Sequence, residues 1–288
     1  MKRNGQLIIK AVQGFLKDDA FTLAAALAYY MLLSLAPLLV FLLIAVGQVG
    51  PEAQQETVAR IETVLGTQAG GVVDTIMRSA NTNRDLTSLT SIIGIVVLLI
   101  GATGIFVQLQ AALNKIWNVK PKPGLHVGTW LRKRAMTFVV VILLGALLLA
   151  AIVLSAILRY LLPTSGAWLL RAGDLVAGLL LMTVLLALLY KYLPDTIIVW
   201  RDVWIGALAT ALLLALGRVG IQIYFQHSSL GSAYGAASSL VLLLIMIYYS
   251  ALMLLLGAEF TQVYAQRQGH PIRPQRYAQP VPSPAPQP

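Results

Sequence analysis

Six stretches of twenty or more largely apolar residues dominate this 288-residue chain, at about 20–47, 86–114, 135–162, 172–193, 203–226 and 235–261. No other feature narrows the fold as far. About 20 residues at 1.5 Å rise cross a hydrocarbon core of roughly 30 Å, and a helix satisfies its own backbone polar groups there. The chain is 11% charged where a soluble domain carries about 25%, so too little charge is present to coat a water-facing surface. The sequence therefore predicts an all-α, polytopic membrane protein with six transmembrane helices. The first run is too long for a secretory h-region and is read as a retained helix. The absence of cysteine excludes disulfides and thiolate chemistry.

Orientation follows from lysine and arginine, which collect on the cytoplasmic side of short loops. Fifteen of the 21 lie in the N-terminal segment, in the loops after the second and fourth runs, and in the tail; five lie in the alternate loops, and Arg218 stands inside a run. Both termini are expected in the cytoplasm. The formal charge of +10 is thus a topology signal, matched to anionic headgroups at the cytoplasmic face. It is not a nucleic-acid footprint.

Residues 1–19 form a cytoplasmic amphipathic segment. Leu7, Ile8, Ala11, Val12, Phe15 and Leu16 fall at helical spacing with Lys10 and Lys17 opposite, as for a helix lying in the membrane interface. A cytoplasmic extension of the first spanning helix is the competing reading. Residues 20–266 make the six-helix domain, with an external helical loop at about 48–85 in which Pro51 opens a short helix and Gly66 stops it. Residues 267–288 hold seven prolines among the last 18 and show no apolar periodicity. That tail is expected to be disordered or polyproline-like and to lie outside the fold.

Small and polar residues mark helix contacts in lipid, where no hydrophobic drive acts between helices. In the second run, Gly94, Gly101, Gly104, Gln108, Ala111 and Lys115 form one stripe. In the fifth, Ala207, Ala211, Ala215, Arg218, Gln222 and Gln226 form another. Glycine and alanine need only close packing, but Gln108, Arg218 and Gln222 point to a more polar interior. Arg218 sits about 24 Å along its helix, in the outer third of the membrane. Three uses fit: a pair with Asp174 or Asp85, snorkelling to headgroups, or contact with an anionic substrate. Glu259, near the inner end of the sixth run, is read as a structural salt bridge, with Lys115, Lys17 and Arg201 at a similar depth to neutralise it, or as a proton-coupling carboxylate. Pro37 is a candidate hinge.

Enzyme chemistry finds no constellation. His126, His227 and His270 lie in separate loops and the tail, so they make no common metal site. The Asp18–Asp19 doublet reads as a helix cap rather than a metal pair. No cofactor and no metal is expected.

Four stretches, "AAALAYYMLLSLAPLLV" (24–40), "LQAALNKIWNV" (109–119), "YKYLPD" with "WIGA" (190–195, 204–207) and "YGAASSLVLLLIMIYYSALMLLLGAEF" (234–260), resemble the YihY/BrkB family of bacterial inner-membrane proteins. The family's basic residue after Leu-Gly is matched by Leu216, Gly217 and Arg218; Met246 departs from the tryptophan its pattern would place there. The resemblance implies six helices with both termini inside, and links to virulence and to envelope lipid export. A ribonuclease label attached to some members has no residues here to carry it. Two functions stay open. One is a translocator of an anionic amphiphile, with Arg218, Gln222 and Gln108 meeting the substrate and Glu259 coupling. The other is a non-transporting envelope scaffold. Membrane lipids are the expected partners, nucleic acid is not, and assembly into a homo-oligomer is left open.

Overall fold

The computed structural model describes residues 2–47, 104–123, 139, 167–227 and 238–281. The external loop at 48–85, nearly all of the run at 135–162, and the glycines at 94 and 101 lie outside them.

Helix α1, Lys2–Lys17, is separated from α2, Ala20–Gly47. Asp18 and Asp19 make the turn between them, and Asp19 takes a left-handed backbone with φ 57°, which aspartate tolerates better than most residues. The N-terminal segment is therefore its own element and not an extension of α2. Ala11 and Phe15 are buried and Phe15 packs edge-on against Phe21, with ring centroids 5.3 Å apart. On α1, Ile8, Ile9, Val12 and Leu16 stay exposed as a second apolar arc, with Ile8 at 62% and Leu16 at 59%. Lys10 and Lys17, both exposed, fall on the third arc at helical spacing. Helix α2 continues through Pro37.

Helix α3 covers 104–116 and ends at Asn118, again left-handed with φ 53°. Strand β1, Val119–Pro121, follows. Helix α4 is Ala167–Tyr192, β2 is Thr196–Ile197 and α5 is Trp200–His227. Pro194, lacking an N–H, prevents α4 from running on, and Asp202 sits in the first turn of α5, where a carboxylate complements the helix dipole. Helix α6, Ser238–Arg267, ends in a Schellman cap. Gly269 has φ +76°, its N–H reaches the Gln266 carbonyl, and the His270 N–H reaches the Ala265 carbonyl at 2.9 Å. Three described stretches are long and apolar enough to cross a membrane: Leu175–Tyr192, Trp200–Gly217 and Leu243–Arg267.

The tail corrects the expectation of disorder. Through Val281 it supplies two short strands, β3 at Arg273–Pro274 and β4 at Ala278–Pro280. Strand β4 pairs antiparallel with β1, Val119 opposite Pro280, and β3 pairs antiparallel with β2, Thr196 opposite Pro274. Proline is tolerated because each ladder is two-stranded and leaves an edge that needs no N–H.

The chain divides into two units, 1–21 with 110–217 and 252–288, and 22–109 with 218–251. Within the first, α5 buries Val203, Ala207, Thr210 and Ala211, while Trp200, Trp204, Leu208, Leu212 and Leu216 form an exposed ridge. That four-residue step is the face a spanning helix turns to lipid. The predicted inward stripe of α5 thus holds at Ala207 and Ala211 and fails at Ala215, which is exposed. At the end of α3 it does not: Ala111 and Lys115 are exposed, and Leu109, Ala112, Leu113 and Ile116 are buried instead. Large apolar side chains, rather than small-residue packing, choose the inner face there. Within the second unit, Gly104 lies against the Tyr30 ring, where a Cβ would come within 3.3 Å of Tyr30 Cδ1.

Candidate functional site

The buried polar residues of the first unit gather where α1, α3, α4, α5 and α6 meet. Helices α5 and α6 run antiparallel through a reciprocal fit: Gly206 faces Thr261, and Gly257 faces Thr210, so that each helix offers a glycine and, four residues on, a threonine. A Cβ on Gly206 would lie 2.8 Å from Thr261 Cβ, and one on Gly257 would lie 2.8 Å from Thr210 Cβ. Each threonine hydroxyl is satisfied by its own helix, Thr210 donating to the Gly206 carbonyl and Thr261 to the Gly257 carbonyl. Tyr190 of α4 donates to the Leu254 carbonyl at 2.6 Å and sits 3.0 Å from Thr210 Oγ1. Trp117 closes the same layer by donating to the Ala258 carbonyl at 3.0 Å.

A second cluster is centred on Asp195, which is fully buried. Asn114 Nδ2 donates to its carboxylate at 2.8 Å, and the Asp195 N–H returns a bond to Asn114 Oδ1 at 2.8 Å. Gln110 donates to the carboxylate and to the Leu193 carbonyl. From the tail, the Tyr277 hydroxyl donates to Asp195. Burial, then the Asp195 charge and this bond, push Tyr277 up to about 12. A third contact joins His270 Nδ1 to the buried Asp202 carboxylate at 3.2 Å.

The fourth cluster contains Glu259, which is 2% exposed inside a stretch capable of spanning a membrane. Its neighbour is not the expected Lys115 but Asp18, carboxyl to carboxyl, through a side-chain hydrogen bond. Gly14 allows the approach: a Cβ there would lie 3.0 Å from Glu259 Cδ and 2.6 Å from its Oε2. Glu259 Oε1 has no hydrogen-bond partner. Burial raises the pKa of Asp18; the Glu259 bond and the charges of Lys115 and Lys17 oppose that. Lys115 thus acts on Asp18, from an exposed position on α3.

Of the other residues singled out by sequence, Gln108 is half-buried on α3. Arg218 and Gln222 lie one turn apart on α5; their side chains, like those of Pro37 and Asp174, are outside the described set, as is Asp85 altogether. Arg218 and Gln108 fall in the second unit, Glu259 and Lys115 in the first. Sequence reasoning gave no role to Gln110, Asn114, Tyr190 and Asp195, although all four fall in the stretches that carry the family resemblance, nor to Asp202, Thr210 and Thr261. For the two threonines the available signal was the equal spacing of Gly206–Thr210 and Gly257–Thr261. Among the described residues, no group of three or more His, Cys, Asp or Glu is placed to hold a metal.

A family model described as "Virulence factor BrkB" matches residues 11–281. Curated relatives are named only as UPF0761 membrane proteins. One from Verminephrobacter eiseniae is 31% identical over 58% of this chain and 40% of its own length. Another from Chromobacterium violaceum is 29% identical over 86% of this chain and 59% of its own. A third, from Chlorobium phaeobacteroides, is 28% identical over 90% and 58%. The chain therefore spans about two-fifths to three-fifths of the length of these relatives. No solved structure matches.

Proposed function

The chain belongs to the BrkB virulence-factor family, and from that premise we propose that this integral membrane protein translocates an anionic, lipid-like amphiphile across the bacterial cytoplasmic membrane. The observation that carries the reading is Glu259. A carboxyl held at 2% exposure inside a spanning helix, with one oxygen unpartnered, adds nothing that an apolar residue would not do better for stability. Ionisable groups at such depth mark substrate or proton pathways. In this reading Arg218 meets the anionic headgroup, Gln222 and Gln108 line its route, and Glu259 couples movement to protons. The protein has six spans and both termini in the cytoplasm, with the basic arc of α1 on anionic headgroups.

One observation favours the second reading, a non-transporting envelope scaffold. The Gly–Thr interlock of α5 and α6 and the Asp195 cluster are dense, satisfied packing of the kind that holds a bundle in one state.

The experiment is reconstitution in liposomes carrying a headgroup-labelled anionic phospholipid, following its movement between leaflets. Facilitated movement that falls at least tenfold in Arg218→Gln, with the fold intact, is the expected result. Movement no faster than in empty liposomes, with or without an imposed proton gradient, would transfer the case to the scaffold.

A further inference from the structure

We infer that Asp18 and Glu259 together form a proton-binding site, and that the bound proton holds α1 against α6. This deepens the coupling role given to Glu259 in the transport reading, yet it does not depend on what is carried.

The geometry makes the case. The two acids come from opposite ends of the chain and touch because Gly14 leaves no side chain between them. Two carboxylates cannot hydrogen-bond each other; one must carry a proton. Lys17, at the end of α1, and Lys115, on α3, both favour charge on Asp18, so the proton resides on Glu259 and Asp18 accepts. Asp19 is the remaining charged group of the turn, and it faces solvent. Glu259 Oε1, buried and unpartnered, leaves the carboxyl with no second donor to keep it ionised. Burial also raises Asp18 above the usual carboxylate range, which makes double ionisation harder still.

Loss of the proton would leave two like charges in contact in a poorly solvated place, an arrangement that carboxylate pairs avoid. The strain has one easy outlet. Helix α6 is fixed to α5 by the reciprocal Gly–Thr contacts. Helix α1 is held by the small patch of Ala11, Gly14 and Phe15, and already exposes Ile8, Ile9, Val12 and Leu16. Separation of α1 from α6 moves Asp18 away from Glu259 and lets water reach both carboxyls.

The chain lacks cysteine, so single spin labels can be placed without background. Labels at exposed Gln13→Cys on α1 and Gln266→Cys on α6, in the full chain in lipid nanodiscs, report the separation by pulsed electron spin resonance. Infrared spectroscopy on the same samples reports protonated carboxyl. One short distance is expected at mildly acid and neutral pH, with a longer population that grows severalfold on raising the pH as a protonated-carboxyl band disappears. In Glu259→Gln, the amide N–H donates the same bond to Asp18 permanently; in Asp18→Asn, the direction reverses, the amide N–H donating to Glu259, and the pair of like charges is gone. Each should keep the short distance at every pH, and Glu259→Gln should lose the titrating band.

A wild type whose distance and band do not change with pH overturns the proposal. So do amide variants that follow the wild type. A transition that shifts with sodium or potassium concentration also overturns it, by putting a metal cation where the proton is placed. Absence of lipid movement in liposomes would sink the transport reading and leave these outcomes untouched.

Discussion

At the scale of single residues, the tightest constraint is the pair of glycines between α5 and α6. A Cβ at Gly206 or Gly257 would press on the threonine opposite at 2.8 Å between carbons, well inside contact distance. Overpacking of this kind costs about 1–3 kcal/mol, occasionally more, and two locked helices cannot yield locally. Gly206→Ala should therefore lower the unfolding midpoint in detergent by several degrees. The compensating variant Gly206→Ala with Thr261→Gly should recover most of that loss, less the roughly 1 kcal/mol of a helical glycine. No recovery would refute the steric account. Asp195→Asn makes a different prediction. Asn114, Gln110 and Tyr277 all donate to that carboxylate, so an amide there turns one donor against another. The cost is about 1–3 kcal/mol for an orphaned buried group, read as a lower midpoint; an unchanged midpoint would mean the cluster is not satisfied as described. These residues were hard to see from sequence for a physical reason. Glu259 stood out because a charge in an apolar run is expensive, whereas Asp195 and Asp202 sit between runs, where acids are ordinary. Their burial comes from the tail folding over them, which no local pattern announces.

The tail is also the clearest lesson among the elements. Its prolines and lack of periodicity read as disorder, yet residues 273–274 and 278–280 pair with strands that begin at positions 196 and 119. Ladders of two or three residues are too short to imprint an alternation, and proline at an edge costs little. Helices, in contrast, were legible because a spanning run must be apolar along its whole length. The turn between α1 and α2 was legible only in part, since the Asp18–Asp19 doublet looked like a cap and Asp18 proved to face Glu259. The tail clamp should respond to alkali. Tyr277 is raised to about 12 in the folded protein, above the ordinary tyrosine value near 10. A raised pKa means that its contribution is complete below about pH 10 and is lost as pH rises through about 12. Tyrosinate absorbance should accordingly include a late-titrating group whose ionisation coincides with protease access to the tail. Tyr277→Phe should abolish that late group and expose the tail already at neutral pH. A tail equally protected in the variant would show that the short strands suffice without the hydroxyl.

For the whole molecule, the open quantity is topology, and charge and structure bear on it independently. The lysine and arginine distribution leads to the expectation that both termini lie on the cytoplasmic side. Separately, α1 and the tail belong to the same unit, together with the start of α5 and the end of α6. Two ends gathered at one end of the spans require an even number of crossings. Six, the number expected from the sequence, satisfies this, and three stretches among the described residues are long and apolar enough to cross. Because the chain has no cysteine, single introduced cysteines settle the matter in intact cells. Gln13→Cys on α1 and Gln266→Cys at the end of α6 should react with an impermeant maleimide only after the membrane is opened. Gln55→Cys, in the long loop predicted outside, should react at once. Labelling of Gln13→Cys and Gln266→Cys in intact cells, with Gln55→Cys protected, would invert the orientation and make the basic arc of α1 face away from the anionic leaflet. Opposite behaviour of the first two sites would demand an odd number of spans. That outcome would be incompatible with Asp18 and Glu259 sharing a proton, since one carboxyl would then lie on each side of the membrane.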